Sequence, residues 1–351
     1  MHVTAILLLG YHQEIESSLS GEETNRIEES LASSEILGAS TVERTIHRFK
    51  AAGITSISVI GSPSLKRLKA KGVEYRVVES RERFLATVAN SFQKYIRLGS
   101  DAILIAQLGA YAEVDVRAAL EFHRSNQQSA TPICAIDGPL GWWIVDTDQL
   151  SMANELVIPL GTFGEVLDGE TAYVDRGYIN RLKSLSDVHQ VAVDAFSGNC
   201  GIVPQGQEVR PGVWVHPEAN VARGARLVAP MFVGKQTQIG PAVVLSGYSN
   251  IESHCRIGAE TIVSETSILS DTIVGGNLDI RGCVIRGNEL ADLRRHATIT
   301  VYDKTLLRSA ASSPLGMRSP SADYISEYEH PTMRMLYPAW RASVQAFKGE
   351  I

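Results

Sequence analysis

Nine histidines and four cysteines are the side chains of this chain best fitted to move protons, attack electrophiles or bind metal near neutral pH. His216 and His254 merit weighing as general bases, because an imidazole titrates close to neutrality. Both fall on corner or outward positions of a six-residue repeat, and no second histidine-carboxylate pairing is visible, which favours solvated surface. The other histidines, His2, His12, His47, His123, His189, His296 and His330, form no metal-ligand spacing. Cys134, Cys200, Cys255 and Cys283 are far apart and include no C-x-x-C pair, so they read as buried thiols. Carboxylates crowd one stretch: between Gly10 and Leu37 stand Glu14, Glu16, Glu22, Glu23, Glu28, Glu29 and Glu35 against Arg26 alone. Such a segment repels phosphate and reads as a solvated excursion.

The element that carries His216 and His254 is periodic. Stepping by six from Val215 gives Val221, Leu227, Val233, Ile239, Leu245, Ile251, Ile257 and Val263, an unbroken series of branched aliphatics. Four residues after each of the first eight come Ala219, Ala225, Met231, Thr237, Val243, Ser249, Cys255 and Thr261, mostly small. Both rows are expected to point inward. A period of six fits short strands that turn a corner after every repeat and stack coil on coil. Gly234, Gly240 and Gly258, each one residue past an aliphatic, are expected to supply the freedom a tight corner needs. Beyond Val263 the apolar positions suggest a five-residue step through Ile268, Ile273 and Leu278, with Ile280, Val284 and Ile285 in a final turn.

Upstream, strand-like runs alternate with helical ones: 3–9, 40–53, 55–61, 74–78, 83–96 and 101–106, with further strands at 131–136 and 141–146. This βαβ alternation predicts a mostly parallel sheet covered by helices, with a ligand crevice at the carboxyl ends of the strands. The helix over 40–53 has Ser40 or Thr41 as N-cap, Glu43 in its first turn and Gly53 past its end. Asp115 reads as the cap of a later helix, and Lys50 as an exposed helical residue.

The repeat resembles the hexapeptide-repeat family of left-handed parallel β-helices, in which three repeats make one triangular coil. Some members are acyltransferases with a histidine general base, and that is the role the resemblance offers His216 or His254. An α/β domain followed by such a coil is the layout of the sugar-1-phosphate nucleotidyltransferases, and the chain resembles that family from about Val3 to Ile285. The segments that carry the likeness are AILLLG, LGASTVERTIHRFKAAGITSISVIG, AILIAQLGAYAEVDVRAALEFH and GVWVHPEANVARGARLVAPMFVGKQTQIGPAVVL, the last resembling the mannose-1-phosphate guanylyltransferase branch. The implied fold is a Rossmann-like mixed-sheet domain over 1–205, a left-handed β-helix over 206–303, and a Ser/Pro-rich connector with a C-terminal helix over 304–351.

The family's catalytic signature is degenerate in this chain. Gly10 matches the first glycine of the nucleotide loop, but no G-T-R follows and no lysine occurs before Lys50. Ser40 stands near where the family places a basic residue. Gly109 occupies the place of the metal-binding aspartate, and a glycine offers Mg²⁺ no side-chain oxygen. The second metal aspartate of the family falls near Asp175, which alone cannot form the clamp that phosphoryl transfer requires.

Composition bounds the partners. A net charge of −6 and clusters of glutamate rather than lysine argue against a nucleic-acid surface. No apolar run reaches bilayer length, and the apolar opening stretch lacks a basic leader and cleavage site, so a cytoplasmic location is expected. Near the end, PAWRASVQAFKG puts Trp340, Val344 and Phe347 on one helical face, a packing face or a contact for a partner or second copy. The expected protein is a binding, regulatory or scaffold subunit that recognises a sugar nucleotide or sugar phosphate without a resident cofactor. The alternatives are an active nucleotidyltransferase, which would need Mg²⁺ and Asp175, and a sugar acyltransferase using His216 or His254.

Overall fold

The computed structural model describes residues 1–9, 31–61, 70–78, 80–148 and 171–310. The chain divides into two units, Met1–Val203 and Pro204–Ile351.

In the first unit β1 (Val3–Leu9) is apolar almost throughout because it is buried on both faces. A hairpin of β2 (Glu35–Ile36) and β3 (Ala39–Ser40) leads into helix α1 (Thr41–Ala51). Ser40 caps this helix: its Oγ accepts the Glu43 amide at 3.2 Å, and Glu43 returns to accept the Ser40 amide at 2.9 Å. Gly53, at φ +95°, follows its last turn. Then come β4 (Ile57–Gly61), β5 (Val73–Val77), α2 (Arg81–Arg97), β6 (Ala102–Leu108), β7 (Tyr111–Ala112) and α3 (Val116–Asn126). After them are β8 (Ala130–Ala135), β9 (Gly138–Asp146), β10 (Tyr173–Val174), β11 (Ile179–Asn180) and α4 (Leu185–Phe196).

Seven of these strands form one sheet in the order β10-β8-β9-β6-β1-β4-β5. The run β6-β1-β4-β5 is parallel, and β9 is antiparallel to both neighbours, so the sheet is mixed. Successive residues of β1 serve opposite faces. Ala5, Leu7 and Leu9 pack with Val42, Ile46 and Phe49 of α1, whereas Ile6 and Leu8 pack with Phe84, Val88 and Phe92 of α2. Helices therefore cover both sides of the sheet.

The second unit is a set of three parallel ladders visited in rotation. The strands Val213–Val215, Met231–Val233 and Ser249–Ile251 pair in sequence, each residue beside the one 18 positions on. The strands at Asn220–Val221 and Arg226–Leu227 begin two more ladders with the same step. The two inward rows behave as expected: Val233, Ile239, Leu245, Ile251, Ile257 and Val263 are buried in one cluster with Met231, Val243 and Cys255. Thr237 and Thr261 are also fully buried and donate to the carbonyls of Glu252 and Gly275, at 2.6 and 2.9 Å. These bonds offset the cost of placing hydroxyls among aliphatics.

Two expectations need correction. The corners do not turn on Gly234, Gly240 or Gly258. Positive φ falls on Gly224 and Gly247 and, more often, on non-glycine residues, among them Gln236, Ala242, Tyr248, His254, Glu260, Asp271 and Asn277 at 53 to 60°. Those three glycines answer a different demand, because the next coil passes directly against them. A Cβ on Gly234 would lie 2.7 Å from the Glu252 carbonyl carbon, and one on Gly240 would lie 2.9 Å from the Ala259 amide nitrogen. The five-residue step also does not run on continuously beyond Val263: it separates Val263 from Ile268 and again Ile280 from Ile285, with six-residue steps between. Ile268 follows Val263 by five, but the inward residues then return to six with Val274 and Ile280, and Ile273 faces outward. From there each strand pairs 17 residues on, and Ile280, Val284 and Ile285 are buried near the end of the stack. The described residues finish with antiparallel strands at Glu289–Asp292, Ala297–Thr300 and Leu307–Ser309.

Candidate functional site

The carboxyl ends of β1 and β4 lead into residues 10–30 and 62–69, and residue 79 lies just past β5. Gly10 and the glutamates from Glu14 to Glu29 thus lie outside the described residues, as do Trp340, Val344 and Phe347. Gly109 follows the end of β6, whose Leu108 pairs with Leu9 of β1. Gly109 thus lies at the carboxyl end of an interior strand and offers no side-chain oxygen there.

Asp175 follows β10, held there by its own amide, which donates to the Cys134 carbonyl at 2.8 Å. It is 4% exposed, and its carboxylate is committed to backbone. Oδ1 accepts the Gly177 amide at 2.6 Å and Oδ2 accepts the Asp115 amide at 2.9 Å. The Tyr173 hydroxyl donates to Oδ2 at 3.4 Å. Burial, reinforced by the negative charge of Asp175, pushes the Tyr173 phenol up to about 12. A Cβ on Gly177 would stand 2.8 Å from Asp175 Oδ1, so glycine is needed for the amide to reach the carboxylate. Asp115 caps α3, its Oδ1 accepting the Ala118 amide at 3.0 Å. The two aspartates together lock the start of α3 to the segment after β10.

A second polar group beside it was not legible from sequence spacing. Arg48 on α1 donates to the Ala112 carbonyl at 2.9 Å and to the Tyr111 hydroxyl at 2.7 Å, and lies 3.2 Å from Glu113. Tyr111 in turn donates to Glu113 at 2.5 Å, and the Gly201 amide donates to the same carboxylate at 2.8 Å. Tyr178, stacked obliquely 6.0 Å from Tyr111, donates to Asp194 at 2.5 Å. Burial first, and then the acceptor carboxylate, raise both phenols well above their ordinary range, so they stay protonated donors. Cys200 is raised by burial and by Glu113 and Asp194 nearby, and is no ready nucleophile. Apart from Tyr111 and Glu113, which are two residues apart, the partners lie 16 to 88 residues apart along the chain, beyond any motif.

His123 on α3 is buried, with Nδ1 2.8 Å from Thr131 Oγ1 and Nε2 3.1 Å from Asp146. An Asp-His-Thr set has the composition of a hydrolase triad, but Thr131 is fully buried and no substrate reaches its hydroxyl. The arrangement ties α3 to β8 and β9.

In the second unit His216 Nδ1 accepts the Glu218 amide at 3.1 Å, which leaves its other nitrogen as donor. His254 does have a carboxylate neighbour, contrary to the sequence expectation. Its Nδ1 lies 3.9 Å from Asp271, one coil further along, where stacking rather than chain proximity brings the two together. His254 is 48% exposed. The two histidines belong to the same corner of the stack but to coils separated by the one that carries Gln236, and they do not meet.

Among the described residues, no group of three or more His, Cys, Asp or Glu side chains converges closely enough to hold a metal ion, and no helix is long and apolar enough to cross a membrane. All four cysteines are free. No protein-family model matches the chain, and no curated protein matches it either.

Proposed function

We propose that this chain is a nucleotidyltransferase-like protein of sugar-nucleotide or surface-polysaccharide metabolism, acting in the cytoplasm as a binding, regulatory or scaffold subunit rather than through turnover. On this reading the first unit is a Rossmann-like domain and the second a left-handed β-helix of 18-residue coils. The observation that carries it is the state of Asp175. The one carboxylate that could stand for the family's second metal ligand accepts two backbone amides, while its expected companion position is Gly109. The two amides leave a metal only part of this carboxylate, and Gly109 supplies no second one. The acidic run after Gly10 points the same way, since it disfavours a triphosphate.

The test is thermal stability of the full chain against NTPs, NDP-sugars and sugar phosphates, with and without Mg²⁺, since a ligand of the native state raises Tm. A metal-independent shift with an NDP-sugar is expected. Production of NDP-sugar and pyrophosphate from an NTP and a sugar 1-phosphate would overturn the reading and establish an active nucleotidyltransferase. The second reading, a sugar acyltransferase, is favoured by the His254 and Asp271 pair at 3.9 Å. It requires consumption of acyl-CoA that His254→Ala abolishes.

A further inference from the structure

We propose that the Ala297–Thr300 strand is an interface, and that its occupant is the same strand of a second copy, paired antiparallel across a twofold axis at Ile299. The strand closes one end of the eight-stranded sheet, and among the described residues it pairs only with Glu289–Asp292. Among the described residues its other edge offers a row of unpaired backbone groups, which proteins ordinarily guard with charge, proline or a bulge. The opposite end of the sheet is so guarded: Gln207–Arg210 carries Glu208 and Arg210, and its register shifts between them. Edge strands Val73–Val77, Asp279–Arg281 and Leu307–Ser309 also carry charge. Ala297–Thr300 carries none, has no proline or bulge, and all four residues are exposed.

Hydrogen-bond parity fixes which groups are on offer. The Val301 amide donates to the Asn288 carbonyl at 2.8 Å. By the alternation of an antiparallel ladder, Ile299 and Ala297 then bond toward Leu290 and Asp292, and the N–H and C=O of Thr298 and Thr300 point outward. The other side of the hairpin agrees, because Leu293 donates to Gly282 at 2.9 Å, which turns Leu290 and Asp292 toward the Ala297–Thr300 strand.

A twofold register centred on Ile299 uses both outward threonines, Thr298 of each copy bonding Thr300 of the other. It sets the two Ile299 side chains opposite each other in a close, non-hydrogen-bonded pair. Ile299 lies opposite Leu290, which packs on the core of the stack, yet Ile299 is 48% exposed because the sheet outruns that core. A second copy continues the apolar face. The same register brings Arg295 of each copy toward Asp303 of the other and His296 toward Tyr302, which is 87% exposed. The interface is isologous, so it closes at two copies.

The test is sedimentation equilibrium of the full chain, with hydrogen exchange at residues 296–302 read in parallel. The expected result is a species of twice 38.2 kDa whose Thr298 and Thr300 amides lose protection on dilution. Thr298→Pro removes an outward amide while sparing the bonds to Glu289–Asp292, and Ile299→Lys places like charges on the axis. Each is expected to raise the dissociation constant roughly tenfold or more with Tm of the monomer little changed. A monomer at all concentrations overturns the proposal, including one with protected amides, which would assign the edge to the chain's own residues. A larger assembly overturns it too, as does a dimer indifferent to both substitutions.

Discussion

Asp175 reaches across 60 residues of sequence to accept the backbone amide of Asp115 at 2.9 Å, and the cap of α3 hangs on that bond. Asp175→Asn keeps the shape but turns one acceptor into a donor, leaving a buried amide unsatisfied. A loss of about 1–3 kcal/mol in chemical denaturation is expected. If the substitution left stability intact and removed a Mg²⁺-dependent NTP shift instead, Asp175 would be a metal ligand and the structural assignment would be wrong.

Arg48 holds a carbonyl, a phenol and a carboxylate at once. Arg48→Met strands Glu113 among groups that no longer balance its charge, and about 2–3 kcal/mol of stability should be lost. Adding Glu113→Gln should recover part of it, because the uncompensated charge is gone. A double-variant loss equal to the sum of the two single losses would show that the two side chains are not coupled.

The two residue classes of the corners respond oppositely to substitution. Gly234→Ala drives a methyl group into the backbone of the next coil and is expected to cost about 1–3 kcal/mol. Ala242, exposed and at φ +56°, gains from the reverse change. Relief of left-handed strain at Ala242→Gly offsets the added freedom of the unfolded chain, so stability should hold or rise slightly. Thermal melts of the two variants decide whether close approach or turning accounts for the glycines.

Cys283 gives the second unit a dependence on alkaline pH. Burial, with Asp292 adding to it, pushes its thiol up to about 11 from an ordinary value of 9.0. The folded state therefore holds this proton more tightly than the unfolded chain, and its contribution is complete below about pH 9 and lost as pH rises through about 11. Of order 2–3 kcal/mol is at stake. Denaturation of Cys283→Ala across that window should show a flatter decline than the parent, and parallel declines would rule the thiol out.

Much of the architecture was legible because its signals are local. The aliphatic row from Val215 to Val263 and the capping of α1 by Ser40 and Glu43 both lie within short stretches of chain. The alternation that built the first sheet was equally plain, although β9 pairs antiparallel, a choice made by the short turn from β8 rather than by its own residues. The site was far less legible. Which aspartate is a ligand and which a clamp depends on amides of Gly177 and Asp115, and backbone donors leave no mark in side-chain composition. The role of Gly234 is hidden from the sequence for the same reason: the chain that presses on it lies 18 residues away. Ile273 reads as inward from a continued five-residue step, whereas the inward row returns to six through Val274 and Ile280 before the next five-residue interval to Ile285.

The shortening between Val263 and Ile268 decides something about how the second unit finds its place. Because every repeat contributes the same inward aliphatic, a stack slipped by six residues would bury nearly the same surface as the correct one. Periodicity alone leaves the alignment degenerate, as uniform patterns do in sheets and coiled coils. The interval from Val263 to Ile268 breaks the degeneracy, since it fits only where the pairing interval changes from 18 to 17. The irregular repeat is thus the address of the chain within its own fold, and a regularised sequence with one residue inserted there would be expected to populate several alignments.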